Sequence, residues 1–247
     1  MDGYEPQSYG DGFADVYDDW YHDVSDVAAT VAGVRRLAAG GPILELGVGT
    51  GRLAIPLAEV GESVVGIDAS ASMLERLTAK PGGSKVMCVE ADMAYLPLAP
   101  CCFSLSFAAF NTFFNLTDGA AQQRCLEQVA ATLRPQGCLV IEGFLPPAEG
   151  LENSGVSVRS IGIDHAVLTI SQHDADEQRI QGQHVELSAE GVRMRPWMLH
   201  YRSPEQLDAA ATDAGFVLEA RWADWNTNHL THHSDTHVSV YRLHGDH

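Results

Sequence analysis

Cysteine, basic residues and long apolar runs are all scarce in this chain of 247 residues. The five cysteines are scattered and include no Cys-x-x-Cys pair, so the sequence predicts reduced thiols rather than a metal site or a disulfide framework. No apolar run approaches the ~20 residues that a membrane-spanning helix needs. The first residues show no basic stretch followed by an apolar one, so we expect no secretory signal, no membrane partner and a cytoplasmic location.

Positive charge is especially scarce, with 15 Lys and Arg residues against 33 Asp and Glu residues and a formal net charge of −18. A surface of that sign repels phosphate backbones, and the basic residues form no stripe along the sequence. We therefore expect no nucleic-acid partner. The acidic field would suit a cationic ligand, although solubility alone also accounts for it.

Short apolar runs alternate with helical stretches between residues 42 and 143. Strands alternating with helices predict parallel pairing through right-handed crossovers, and hence an α/β doubly wound sheet. The predicted strands are 42–46, 63–67, 85–89, 103–109 and 137–143, and the predicted helices are 50–60, 69–79 and 119–133.

Beyond residue 150 the pattern changes to extended stretches with turn signals between them, which is typical of an antiparallel meander. Ser203 and Pro204 then supply an N-cap and a first helical position. The sequence predicts a single domain over 1–247, with a helical lid in 1–40 and an inserted small sheet in 151–202. The predicted strands of this half are 154–161, 165–173, 178–188, 191–201, 216–222 and 237–243.

The segment ELGVGTG (45–51) stands between a predicted strand and a predicted helix. Gly47, Gly49 and Gly51 permit a tight turn in which backbone approaches a ligand, next to the N–H groups of a helix terminus. The spacing G-x-G-x-G after Glu45 differs from the G-x-G-x-x-G of dinucleotide-binding turns. It therefore favours a nucleoside joined to an amino acid over a pyrophosphate.

Acidic residues follow the next two predicted strands. Asp68, followed by Ala69, ends the second strand, where a carboxylate can accept both ribose hydroxyls or can simply cap the next helix. Asp92 ends the third strand, where it can accept from the amine of adenine while Met93 covers the ring. Because the carboxyl ends of parallel strands line one crevice, these residues predict a nucleoside site.

With these motifs in place, residues 42–143 resemble the core of class I S-adenosylmethionine (SAM) methyltransferases. The wider chain resembles an actinobacterial small-molecule subgroup in phrases such as FNTFFNL (110–116) and HYRSPEQLDAAATDAGF (200–216). The resemblance implies a Rossmann-like seven-stranded sheet of order 3-2-1-4-5-7-6 with strand seven antiparallel, and SAM as the cofactor. It also implies Glu45 and the three glycines as the SAM loop, Asp68 as the ribose residue and Asp92 as the adenine residue.

The same resemblance directs attention to residues outside the glycine turn. Asn111, just past strand four, is expected to face the methionine part of SAM or the acceptor. Asn-Thr-Phe-Phe there replaces the Asn/Asp-Pro-Pro-Tyr of amino- or nucleic-acid N-methyltransferases, which disfavours adenine or glutamine methylation. Tyr17 and Tyr21 resemble an N-terminal lid over SAM, although aromatic packing on the core is an equal alternative.

The inserted sheet follows strand five beside the predicted cleft, so we expect it to hold the acceptor. Alternation puts Arg195, Trp197 and Tyr201 on one face of a strand and His200 on the other. His184 and His200 are the candidate general bases, and Arg195, Trp197, Tyr201 and His173 are the candidate substrate residues. Structural or exposed histidines are the alternative. No metal is expected, because the histidines between 229 and 237 are irregularly spaced.

The sequence therefore predicts transfer of the SAM methyl group to an O or N atom of a small-molecule acceptor, driven mainly by proximity and orientation. A non-methylating SAM enzyme or a SAM-binding regulator is the alternative, and an NAD(P)-dependent oxidoreductase is a more distant one. The sequence identifies neither the acceptor nor the oligomeric state.

Overall fold

A computed structural model describes residues 1–146, 151 and 153–245. Strands and helices largely alternate between residues 43 and 144, as the sequence predicts, and antiparallel strands follow; two short 3-10 turns also occur. The elements in chain order are α1 (Ser8–Phe13), α2 (Tyr17–Trp20), α3 (Val27–Ala38), β1 (Ile43–Leu46), α4 (Ala54–Glu59), β2 (Val64–Asp68), α5 (Ala71–Ala79), β3 (Met87–Glu90), β4 (Phe103–Ala108), α6 (Gly119–Thr132), β5 (Leu133–Phe144), β6 (Ser154–Ile161), β7 (His165–Asp174), β8 (Arg179–Ser188), β9 (Gly191–His200), α7 (Pro204–Asp213), β10 (Phe216–Trp222) and β11 (Thr236–Leu243).

In the described part of the chain, seven strands form one sheet in the order β3-β2-β1-β4-β5-β11-β10. Strands β1 to β5 pair in parallel, whereas β11 runs antiparallel to both β5 and β10. This confirms the predicted order 3-2-1-4-5-7-6, with β10 and β11 as the sixth and seventh strands. The carboxyl ends of β1, β2, β3 and β4 therefore lie side by side at one edge.

Both faces of this sheet are covered, which is why its central strands are apolar without alternation. All four residues of β1 are buried; Ile43 packs into a core with Val34 of α3 and Leu57 of α4. Leu44, pointing the other way, belongs to the core formed by α6 and α7, with Leu126 and Leu207.

Helix α4 begins at Ala54, four residues later than the predicted start at residue 50. Gly51 has a φ of +83°, a left-handed conformation that an α-helix does not contain. The turn after β1 therefore extends through Gly51, and the helix starts only beyond it.

Strands β6 to β9 form a separate antiparallel sheet in strand order, with bounds within one residue of those predicted. Helix α7 begins as predicted. The Ser203 side chain accepts from the Gln206 N–H, and the Gln206 side chain accepts from the Ser203 N–H, so the two form a capping box. The helical region predicted within residues 1–40 is divided into α1, α2 and α3, the first of which begins at Ser8. Among the described helices, none has the length and apolarity that crossing a membrane requires.

Candidate functional site

A cavity of about 310 Å³ opens at the carboxyl ends of β1 to β4, within the size range of small-molecule sites. It lies between that edge, the N-terminal helices and the sheet β6–β9. Of the residues predicted for the site, the cavity wall contains Gly47, Gly49, Asp68, Ala69, Asp92, Met93, Asn111, Tyr17, Tyr21, His184 and Trp197. The fold thus brings together predicted residues that are as far apart in the sequence as Tyr17 and Trp197.

The glycine turn after β1 shapes the floor of this cavity. Gly47 has a φ of +64°, and a Cβ there would lie 2.2 Å from the Thr112 side chain. Gly49 has a φ of +55°, and a Cβ there would meet no atom within 4 Å, so its bare backbone faces open space. Gly51 lies outside the wall, where a Cβ would press on Leu77. The first two glycines let a ligand reach the backbone, and the third serves packing.

Asp68, at the end of β2, holds the glycine turn in place. Its Oδ2 accepts from the Gly49 N–H at 2.8 Å, and its Oδ1 accepts from the Ser70 N–H at 2.9 Å. Burial raises the pKa of this carboxyl, and the two N–H groups oppose the rise. Each carboxylate oxygen has a second lone pair, so the group could still accept from ligand hydroxyls.

Asp92 and Asn111 follow β3 and β4 and continue the wall. Asp92 Oδ1 accepts from the Ala94 N–H at 2.9 Å, which orients the carboxylate. Asn111 has a φ of +64°, and its Oδ1 accepts from the Phe144 N–H at 2.7 Å, so the end of β5 fixes this side chain. Asp68, Asp92 and Asn111 are thus pre-oriented along one edge of the sheet.

Glu45 of β1 lies beneath the turn rather than in the cavity wall. It is buried, and its Oε2 has no hydrogen-bond partner among the described residues. Burial raises its pKa to about 8; Arg52 opposes the rise and Asp68 adds to it. A buried carboxyl oxygen without a partner is costly, and a ligand group that forms a hydrogen bond with it would satisfy it.

The N-terminal segment, defined here as residues 6–22, covers the cavity with aromatic rings. Tyr9, Tyr17 and Tyr21 all line it, with the Tyr17 and Tyr21 ring centroids 4.9 Å apart. Tyr21 meets Phe110, which follows β4, edge to face at 6.0 Å. Burial raises the pKa of Tyr17 to about 12, so its phenol stays neutral and can donate a hydrogen bond.

Three aspartates bind the N-terminal segment to three different elements around the cavity. Asp11 accepts from the Ser70 hydroxyl at 2.6 Å, beside the start of α5. Asp18 lies 2.7 Å from the Lys80 ammonium and also accepts from the Thr50 hydroxyl in the glycine turn. Asp15 pairs with Arg195 of β9 at 2.6 Å. Contacts on both sides therefore hold the segment across the cavity.

The sheet β6–β9 supplies the opposite wall through His184, Trp197 and Leu199. His184 Nδ1 lies 2.9 Å from Thr169 Oγ1, which leaves Nε2 available to a ligand. Burial, with smaller contributions from Arg159 and Arg195, lowers the pKa of His184 to about 4. This histidine is therefore neutral at pH 7.

Four residues predicted for catalysis or substrate binding lie outside the cavity wall. Arg195 is 1% exposed, and its two terminal nitrogens bond to Asp15, Glu186 and the Gly12 carbonyl, which joins β9 to the N-terminal segment. His173 and Tyr201 bond to each other through Nε2 and the phenol oxygen at 2.8 Å. His200 projects from the other face of β9, where burial lowers its pKa.

Several wall residues were not predicted from the sequence. Phe110 and Asn115 belong to the phrase FNTFFNL, whose position just past β4 was the available signal, whereas Tyr9 and Leu199 carried none. The wall residues of this kind are Pro6, Tyr9, Gly10, Ile67, Met73, Ala91, Phe110, Thr112, Asn115, Leu116, Thr117, Ala121 and Leu199.

Comparison with known proteins gives consistent matches. The profile of a methyltransferase domain family matches residues 43–137. The cypemycin N-terminal methyltransferase of a Streptomyces species is 31% identical over 182 residues, which cover 71% of this chain and 73% of that protein. The solved CcbJ methyltransferase from Streptomyces caelestis is 37% identical with a TM-score of 0.90, covering 98% of this chain and all of that one.

A second solved structure resembles the chain in fold alone. It is SAM-bound CalS10, an amino pentose methyltransferase from Micromonospora echinaspora, which is 21% identical with a TM-score of 0.68. The match covers 92% of this chain and 96% of that protein. The fold thus recurs in other methyltransferases.

Proposed function

Since the chain belongs to the SAM-dependent methyltransferases, we propose that it transfers the methyl group to an amine nitrogen of a small-molecule acceptor. One observation carries the choice of nitrogen. Among the described residues no Lys or Arg lines the cavity, and the part of the wall away from Asp68 and Asp92 is largely aromatic, with Tyr9, Tyr21 and Trp197. The aromatic rings attract a cationic amine, and the absence of a basic wall residue disfavours a phosphate or a carboxylate.

We assign the cofactor to the edge formed by β1 to β4. Gly47 and Gly49 would leave room for its methionine part, Asp68 would accept from the ribose hydroxyls, and Asp92 with Met93 would hold the adenine. Glu45, Ala69, Asn111, Tyr17 and Tyr21 complete this assignment. The unpartnered Glu45 Oε2 and the open space beside Gly49 both fit such a ligand. When bound, SAM supplies an electrophilic methyl group on a positively charged sulfur.

The acceptor lies, in this proposal, between the N-terminal segment and the wall formed by His184, Trp197 and Leu199. Residues 1–40 then act as the lid, and 151–202 as the acceptor-side sheet of a single domain. An amine attacks only when unprotonated, and an aromatic, water-poor wall lowers the pKa of an amine by desolvation. The same cavity therefore draws in the ammonium form and favours the neutral form once it is enclosed.

His184 positions the amine instead of taking its proton. A histidine with a pKa of about 4 is a weak base at pH 7, and effective general bases have a pKa near the working pH. Its free Nε2 can still bond to the amine and aim the nitrogen lone pair. Orientation of this kind accounts for on the order of 7–11 kcal/mol of rate acceleration in favourable cases, so a strong base is not required.

The names of related proteins support an amine acceptor without identifying it. The curated relative is named for methylation at an N-terminus, and CalS10 is named for an amino pentose. Both names describe compounds with an amine.

The test is formation of S-adenosylhomocysteine from SAM with a panel of amino sugars, amino-acid amides and short peptides, each paired with its hydroxyl analogue. We expect turnover with at least one amine and none with its analogue. Turnover on hydroxyl acceptors alone would show that the nitrogen assignment is wrong. SAM binding without turnover on any acceptor would instead favour a regulator.

A matched pair of variants tests the role of His184. His184→Asn should lower kcat/KM for the amine at least tenfold while SAM affinity stays within threefold of wild type. His200→Asn, on the opposite face of the same sheet, should change neither quantity by more than twofold. Equal effects of the two substitutions would remove His184 from the acceptor site.

A further inference from the structure

The sheet β6–β9 has an unusual distribution of polar and apolar side chains. An antiparallel sheet packed on one side normally turns apolar residues toward the core and polar residues toward water. Here the charged side chains between the strand ends lie on the face toward the cavity and the N-terminal segment. Arg195 pairs with Asp15 and Glu186, Arg193 also pairs with Asp15, and Arg159 donates to the Trp20 carbonyl at 3.0 Å.

The opposite face, called here the outer face, is apolar along all four strands. Cross-strand register places Val158, Leu168, Val185 and Met194 in one row. Ile161, Ala166, Leu187 and Val192 form the next row, and Val156 pairs with Ile170. Seven of these side chains are 38–79% exposed, namely Val156, Val158, Ile161, Ile170, Leu187, Val192 and Met194.

From this surface we infer that the outer face pairs with the outer face of a second copy of the chain. Contiguous exposed apolar patches of this kind mark interaction sites, since scattered single residues would need no explanation. A twofold axis lying between the two sheets and parallel to the strands would bring each row of aliphatic side chains against its equivalent, as in a β-sandwich with sheets ~10 Å apart.

Charge also favours this face for self-association. With a formal net charge of −18 per chain, two copies repel each other over most of their surfaces. Among the described residues of the outer face between the strand ends, none is charged; Ser154, Gln172, Gln181 and Gln183 are its polar members. Two copies therefore approach here at the lowest electrostatic cost.

The area is adequate for a stable pair. Four strands at ~4.8 Å spacing, each contributing about eight residues at ~3.4 Å, project to roughly 500 Å². Side chains standing out of the sheet expose more than this projection. The face therefore approaches the ~800 Å² that each partner buries in a standard specific interface.

Sedimentation equilibrium of the full chain, with no added N-terminal residues because Met1 borders the outer face, tests the inference. The chain mass is 26.6 kDa, and we expect a species of twice that mass at micromolar concentration. Val158→Glu should weaken the dimer at least 100-fold, because symmetry places two buried carboxylates in one apolar interface. Val217→Glu is the matched control, since Val217 is also an exposed valine on an edge strand, and it should leave the dimer intact.

SAM affinity reports folding in each variant, because Val158 lies outside the cavity wall. A wild-type chain that stays monomeric at 100 μM would overturn the inference, as would a dimer that Val158→Glu leaves unchanged. Flotation with phosphatidylcholine vesicles tests whether the outer face binds a lipid surface instead. Vesicle binding by a monomer, abolished by Val158→Glu, would assign the outer face to a lipid surface and not to a second copy.

Discussion

Replacing Asp68 by Asn tests the cofactor site at its centre. The carboxylate makes two short bonds within the protein, to the N–H groups of Gly49 and Ser70, and the proposal adds the ribose hydroxyls as further donors. Asn keeps the shape but replaces one acceptor oxygen by an NH2 group, which faces a donor. The charge-assisted pair is then lost, at a cost of about 2–3 kcal/mol. We therefore expect SAM to bind about 30- to 150-fold more weakly.

Calorimetric titration with SAM and with S-adenosylhomocysteine measures the loss directly. Both ligands should weaken together, because they share the ribose. Asp213→Asn, a neutralisation at the exposed end of α7, controls for the change in net charge. If Asp68→Asn bound SAM within threefold of wild type with an unchanged unfolding temperature, the carboxylate would not contact the cofactor, and the site assignment would fail.

Two further outcomes follow from buried charge. Arg195→Met should speed hydrogen exchange of the amides in residues 6–22 at least tenfold, because it removes the buried partner of Asp15. Arg193→Met is the control: it removes the 55% exposed partner of the same aspartate and should change the exchange rates little. Burial lowers the pKa of His237 from 6.5 to about 4, so the neutral form stabilises the fold and that stability is lost as pH falls below about 6.5. Between pH 7.5 and 5 His237 should contribute about 2 kcal/mol to the loss of stability in urea unfolding, in addition to the contribution of His184, and His237→Gln should remove its share from the profile. An identical pH profile for the variant would contradict the assignment.

The cavity wall at the ends of β1 to β4, to which we assign the cofactor, was predictable because its signals are local. A glycine turn or an acidic residue at a strand end implies its own position once parallel pairing is recognised, and β1 to β4 then bring those positions together. Even Asn111, whose left-handed conformation is not apparent in the sequence, was placed by its position after β4.

The acceptor side was harder to predict because its residues are chosen by contacts between distant segments. The alternation of side chains along β9 correctly placed Arg195 and His200 on opposite faces. It could not show that the Arg195 guanidinium pairs with Asp15, which lies 180 positions earlier. Tyr9 and Leu199 reach the cavity only because the N-terminal segment crosses it. Likewise His173 and Tyr201 bond to each other, which no spacing rule indicates.

The pairing of Arg195 with Asp15 also bears on the order in which the molecule assembles. The bond between Gly49 and Asp68 closes a loop of 19 residues, whereas the one between Arg195 and Asp15 closes a loop of 180. Loop-closure entropy grows as (3/2)RT ln n, so the longer closure costs about 2 kcal/mol more. Contacts of low sequence separation also form fastest. The edge formed by β1 to β4 is therefore expected to form early. The opposite side of the cavity is expected to form later, because it requires the N-terminal segment to contact residues near position 195. A nascent chain is thus expected to form the edge at β1 to β4, where we place SAM, before the wall that β8 and β9 supply.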